Sequence, residues 1–318
     1  MIVLALSSFG LPAQASAPTD RLAPAAVEQY AQQQANTLGT SNPDWLTAQL
    51  EYYPLGPGTH GWLVYANVQD KPIGYMIISI TAQGKLSLSE YGQGEDVLYN
   101  SELLGQALER QQLNLNTLQT AGGELTRRYA APLLAYWKVE RVSSPALYID
   151  ASNGDLLPNN VLERLEKSPG TQSSDSAEVQ ELQFIPAATT WITNPVRLRP
   201  AFDPSLQLTW LTSEPIQLSQ VKQRIQNSQL GALVFSAGER NLFYGGPLPV
   251  SAYQLWHTQP EVTPQIQTGN KNSSGIATGT GKESASVLYV GIGGFNSTQR
   301  FVPLNTLLLD GHFYMINL

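Results

Sequence analysis

The sequence predicts an α+β fold: helices on antiparallel sheet in an N-terminal domain, followed by a second, β-rich α+β domain. Two observations carry this. A helix-period segment followed by strand-like runs with short turns between them occurs twice before residue 160, and hairpin-like runs dominate the remainder.

The elements follow in order. Pro24 to Leu38 reads as a helix, with Ala25, Ala26, Val27, Tyr30 and Ala31 apolar and Gly39 as its stop. Gly61–Val68 is strand-like, Gln69–Pro72 turn-like, and Ile73–Ile80 completes a hairpin. After a turn at Ala82–Gly84, Lys85–Tyr91 alternates polar and apolar, which turns Leu86 and Leu88 toward a core. Gly92 and Gly94 let the chain leave the sheet, and Glu95 and Asp96 place negative charge at the start of the next helix. That helix is expected over Ser101–Gln111, with Ser101 as candidate N-cap and Leu103, Leu104, Ala107 and Leu108 at helical spacing. Pro132–Glu140 then reads as a strand, Val142–Pro145 as a turn and Ala146–Asp150 as its partner. The closing turns of the two halves, Ile80–Leu86 and Ile149–Leu156, match to within one residue, each around a glycine suited to positive φ.

The run Tyr148-Ile149-Asp150-Ala151, followed by Gly154-Asp155-Leu156, resembles the final hairpin of PepSY and related propeptide-like modules. The preceding strand, Ala135–Glu140, stands where theirs does. The resemblance spans about residues 25–158, and its motif lies only in the second half, at 146–156. It implies a helix on an antiparallel sheet of cystatin-like architecture, duplicated across residues 24–160. It also implies a family found mostly outside the cytoplasm, linked to restraining or assisting peptidases, with no catalytic residues of its own.

Residues 168–180 hold few groups that could be buried and read as a linker, which makes 181–318 the C-terminal domain. There Leu218–Leu230 reads as a helix, Gly231–Ser236 and Asn241–Tyr244 as paired strands, and Ser286–Ile292 as a buried strand. Asn270–Glu283 reads as a long loop, and Phe301–Leu318 as terminal strand-like or short helical pieces.

Of the 318 residues 42% are hydrophobic and only 14% charged, so this is globular material with a polar, weakly charged surface. A net charge of -7 with no basic cluster longer than Arg127-Arg128 argues against nucleic acid as a partner. The chain has no cysteine, which removes disulfides, thiolate metal sites and cysteine nucleophiles. The apolar run Ile2–Leu11 before Ala15-Ser16-Ala17 has the form of a signal peptide over residues 1–17, although no Lys or Arg precedes the run. A secreted or cell-envelope location is therefore expected, with no membrane span after its removal.

Catalytic constellations have little support. None of His60, His257 and His312 has a second histidine three to five residues away, and no Gly-x-Ser-x-Gly elbow exists. No metal or cofactor is expected. Glu90, Glu95 and Asp96 could serve glycosidase chemistry only by facing one another across a cleft; strand exit and helix capping explain them as well. Gly92-Gln-Gly94 and Gly291-Ile-Gly-Gly294 lack what a phosphate loop requires, and any function in this stretch is expected at a recognition edge. Tyr244, Tyr253, Trp256, His257 and Tyr289, with Trp191 and Trp210, are the candidate lining of a binding groove, against core packing as the plainer account of most of them. The expected function is a non-enzymatic exported protein that binds another secreted or envelope protein, a peptidase first among them. The alternatives are a hydrolase using His257 or His312 in the C-terminal domain, and an envelope or glycan-binding module using Trp256.

Overall fold

The computed structural model describes residues 23–56, 61–81, 83–160, 162–163, 190–200, 202–227, 231–237, 247–259, 285–294 and 298–316. The expected leader at 1–17, linker at 168–180, strand at Asn241–Tyr244 and loop at 270–283 lie outside the described residues. Helices and antiparallel sheets together make the fold α+β.

Helix α1 (Ala25–Gly39) and the short α2 (Asp44–Thr47) precede an antiparallel meander of β1 (Gln49–Pro54), β2 (Gly61–Val68), β3 (Lys71–Ile80) and β4 (Leu86–Gln93). The β2–β3 hairpin turns through Gln69 and Asp70, both at positive φ (51° and 60°), the geometry that matches the right-handed twist of its strands. The β3–β4 pairing holds a bulge: Ile77 faces Glu90 but Ile78 faces Leu88, which leaves Ser89 as the extra residue. Strict alternation would put Leu86, Leu88 and Glu90 on one face. With the bulge, Leu86, Leu88 and Tyr91 share the face toward α1, and Glu90 turns to the opposite one with Ile77.

Helices α3 (Ser101–Arg110) and α4 (Leu115–Thr120) come next, then a three-stranded sheet of β5 (Glu124–Ala131), β6 (Leu134–Arg141) and β7 (Ser144–Asp150). Asn100, not Ser101, caps α3: its Oδ1 accepts the N–H groups of Glu102 at 2.8 Å and Leu103 at 3.3 Å. Glu95 and Asp96 lie exposed on the approach, too far back to act as helix-terminal charges. Gly84 (φ 75°) and Gly154 (φ 76°) both occupy the left-handed region, as their turns require. Leu156 bridges back to Ile149 and closes the second turn.

The second half contributes β8 (Trp191–Thr193), β9 (Arg197–Leu198), a 3₁₀ turn (Leu208–Thr212), α5 (Leu218–Gln226), β10 (Ala232–Ala237), β11 (Leu248–Thr258), β12 (Ser286–Ile292), β13 (Arg300–Pro303), α6 (Leu304–Asp310) and β14 (Gly311–Ile316). These strands join the first meander in one 11-stranded sheet, in the order β1-β2-β3-β4-β13-β12-β11-β10-β14, with β8 and β9 also on β11. The junction is β4–β13, where Phe301 faces Tyr91. So β4 lies between β3 and β13 and not at an edge of the sheet. β10 pairs with β11 and β14.

Three layers result. On one face of the large sheet α1 and Trp45 cover Val64, Met76, Ile78, Leu88, Tyr91, Trp256, Tyr289 and Phe301. On the other face α3, α4 and the small sheet cover the first meander, while α5 and α6 cover β10–β14. Trp45 lies so close over Gly74 that a Cβ there would stand 2.5 Å from its ring and 2.5 Å from the Gly92 carbonyl oxygen. Gly74→Ala should therefore lower stability by about 1–3 kcal/mol in urea titration, the range for overpacking a close-packed core.

Candidate functional site

The residues proposed for a groove divide by burial. Trp256 and Tyr289 are 0% exposed. They pack with Tyr91 and Phe301, with ring centroids 4.9 Å apart for Trp256–Tyr289 and 4.9 Å for the stacked Tyr91–Phe301 pair. Tyr253 is half-buried and donates to the Gln226 carbonyl at 3.2 Å. His257 lies in β11 between Ile192 and Ser286, and its Nδ1 is buried with no hydrogen-bond partner. Tyr244 and His60 lie outside the described residues. Tyr253, Trp256, His257 and Tyr289 thus share strands β11 and β12 but form no common open lining. His312 is exposed on β14, opposite Ser236. Trp191 is buried against α1, and Trp210 packs edge-on to Tyr314.

An open pocket of about 100 Å³ lies between α5 and the β11–β12 pair, lined by Lys222, Gln226, Leu255, Ser286, Leu288 and Asn305 among others. It is smaller than the several hundred Å³ that ligand sites usually occupy. Among the described residues no group of three or more His, Asp or Glu side chains could hold a metal ion. No described helix is long and apolar enough to cross a membrane.

The three carboxylates near the β4 exit are separated by the sheet. Glu95 and Asp96 are exposed, whereas Glu90 is 0% exposed, so no facing pair exists. Glu90 instead meets Arg300 in a bidentate ion pair, Nε to Oε1 at 2.7 Å and Nη2 to Oε2 at 2.8 Å. Tyr75 donates to Oε1 at 2.8 Å, and Tyr129 and the Leu133 N–H donate to Oε2 at 3.3 Å and 3.1 Å. Burial, then the Glu90 charge, hold the Tyr75 hydroxyl well above its ordinary pKa, so it remains a donor. For Arg300, burial alone would lower the pKa; the charge and hydrogen bonds of Glu90 more than reverse this, and the guanidinium stays charged.

Arg300 also donates from Nη1 to the Leu133 carbonyl at 2.6 Å. Leu133 sits at the tip of the β5–β6 hairpin with φ at 67°, a conformation that costs a non-glycine residue about 1–2 kcal/mol. Both its main-chain groups are held by the ion pair, and its side chain enters the core beneath α5 and α6. Asp150, at the end of β7, feels the Arg300 charge and accepts from Ser152 N–H at 2.7 Å and Oγ at 2.5 Å. The Ser152 carbonyl in turn accepts from Thr298 N–H and Oγ1, each at 3.4 Å. On the opposite face the Tyr91 hydroxyl donates to Gln254 Oε1, and Gln254 Nε2 donates to Ser41 Oγ at 3.0 Å and to the Asn194 carbonyl at 2.8 Å.

The buried polar groups therefore bind segments of the chain to one another. Chemically they hold charge and position without access for a substrate. Sequence reasoning passed over Arg300, Leu133 and Gln254. A signal existed: Glu90 and Arg300 are charged residues of opposite sign inside otherwise strand-like runs, which is how a buried pair reads in sequence. What defines the class is an α+β fold whose central polar cluster is closed. Comparison with family models, curated proteins and solved structures found no match.

Glu90→Gln should destabilise the protein by about 3–5 kcal/mol, because it leaves Arg300 as an uncompensated buried charge; adding Arg300→Met should recover part of the loss. Chemical denaturation of the single and double variants measures both. Asp150 gives a pH signature. Burial raises its pKa above the ordinary value, only partly offset by Arg300 and Ser152. Its folded form thus binds a proton more tightly than its unfolded form, so its contribution to stability is greatest below the unfolded pKa and is lost as pH rises through the folded one. Asp150→Asn should therefore be more stable than the parent at neutral pH, and the gap should close on acidification through that interval.

Proposed function

We propose that this chain is an exported, non-enzymatic binding protein. It modulates a peptidase or another secreted protein through a propeptide-like module, resembling PepSY modules, within residues 24–160. The supporting observation is the part that each motif residue plays in the β7 hairpin. Tyr148 faces Leu134, Tyr136, Leu157 and Leu162 on one side of the small sheet, and Ile149 faces the α3 side. Asp150 ties down the turn through Ser152, Gly154 supplies the left-handed residue, and Arg110 of α3 donates to the Gly154 carbonyl at 2.6 Å. Helix α3 packs Leu104, Ala107 and Leu108 against Ala135, Trp137 and Ile149, a helix on an antiparallel sheet as the resemblance implies.

Duplication gives the first half the same plan, α1 followed by an antiparallel meander. In this reading the two helix-on-sheet units form the partner-binding body, and the C-terminal strands brace it. The buried acid–base cluster has a structural role, which favours binding over hydrolysis as the work of this body.

The test adds the purified chain to culture medium containing the producing cells' secreted peptidases and follows cleavage of labelled casein. A saturable change in the rate of several-fold, in either direction, is expected. No change at saturating protein, or casein cleavage by the purified chain alone, contradicts the proposal.

A further inference from the structure

Arg127 of β5 is a cation fixed in place without an acceptor. Its guanidinium carbon lies 4.6 Å from the ring centre of Tyr53 and 4.9 Å from that of Trp137. Contact of this kind uses the face of the guanidinium and leaves its N–H groups, which point outward in the plane, unspent. No described residue takes them up. Arg127 makes no hydrogen bond or ion pair with any described group: its Nε is buried without a partner, and its two Nη groups, equally without one, reach the surface of this half-buried residue.

The neighbours hold the guanidinium where it is. Trp137 is 5% exposed and packs edge-on to Tyr99, with centroids 5.2 Å apart, and Tyr53 packs edge-on to Tyr65 at 5.5 Å. Arg127 stands opposite Trp137 in the β5–β6 pair of the small sheet, whereas Tyr53 belongs to β1 of the large one. A side chain already confined by two rings from two sheets loses little entropy when it takes a ligand. Arginine, tyrosine and tryptophan are also the residues that carry most of the energy at protein interfaces.

Chemistry selects the ligand. Two Nη groups side by side match the two oxygens of a carboxylate, which they can hold bidentately. Glu51 on β1 does not fill this role, because its Oε2 accepts from the Tyr53 hydroxyl at 3.0 Å and it forms no ion pair with Arg127. The rings beside the guanidinium offer apolar contact to a carbon that bears a carboxylate, which a hydrated phosphate or sulfate has no group to use. We propose that Arg127 is a recognition residue for a carboxylate presented by a partner, from an acidic side chain or a chain end. Arg127 lies in the module proposed to bind that partner, but its test below uses no peptidase, so either reading can fail without the other.

Arginine Nε–H signals of the isotope-labelled full chain, followed by NMR as acetate replaces chloride at constant ionic strength, test the site. The Arg127 signal should move saturably, with the change half complete at about 10–100 mM acetate, the range one charge-assisted pair supports. The signals of Arg199 and Arg300 should stay where they are, since those side chains already donate to carbonyls and to Glu90. Two peptides then separate the sources, an amidated one with a single Asp and an acetylated one without acids but with a free chain end. Movement by either at lower concentration than acetate supports the proposal, and the tighter of the two names the source. An Arg127 signal that stays still, moves without saturating, moves no more than those of Arg199 and Arg300, or answers to phosphate in place of acetate overturns it.

Discussion

The Glu90–Arg300 ion pair is the contact on which the arrangement of this chain depends. Burying two charges is costly unless hydrogen bonds hold them, and here every side-chain nitrogen of Arg300 and both oxygens of Glu90 have a partner. The carboxylate accepts from Arg300 twice, from Tyr75, from Tyr129 and from the Leu133 amide, while the guanidinium also reaches the Leu133 carbonyl. The partners come from β3, β4, β5, the β5–β6 turn and β13. The left-handed backbone of Leu133 persists because the ion pair grips both of its main-chain groups and the core beneath α5 and α6 takes its side chain.

The same junction works on both faces of the sheet. Glu90 and Arg300 lie on one side, and their sequence neighbours Tyr91 and Phe301 pair across β4–β13 and stack on the other. Trp256 and Tyr289 complete that aromatic cluster, and Gln254 links it to the end of α1 and the chain after β8. Trp256 and Tyr289, which in sequence suggest a groove, are thus part of the seam between the two halves.

Much of the local structure was legible in the sequence. The β2–β3 hairpin, the turns at Gly84 and Gly154, and the α3 and β12 segments follow from periodicity and turn chemistry, all of which are short-range. What escaped was long-range or irregular. The bulge at Ser89 leaves no local mark, so plain alternation sends Glu90 to the wrong face. Strand β1 is only half-buried and ends in a proline, and β5 carries Arg127 and Arg128, so neither has the look of a core strand. Arg127 is accommodated by lying over the rings of Tyr53 and Trp137, a partnership that periodicity cannot show. Glu90 and Arg300 are separated by 210 residues, so although each stands out as a charge in a strand-like run, no local pattern pairs one with the other.

The central claim is that the hairpin tip at Leu133 is locked into the body of the protein by this pair. Hydrogen exchange of the Leu133 amide measures that lock directly, since the amide is a donor to Glu90 itself. The lock predicts that Leu133 exchanges as slowly as the amides of β12, only through global unfolding, although hairpin tips ordinarily exchange fast. Rapid exchange at Leu133 while β12 stays protected would contradict it.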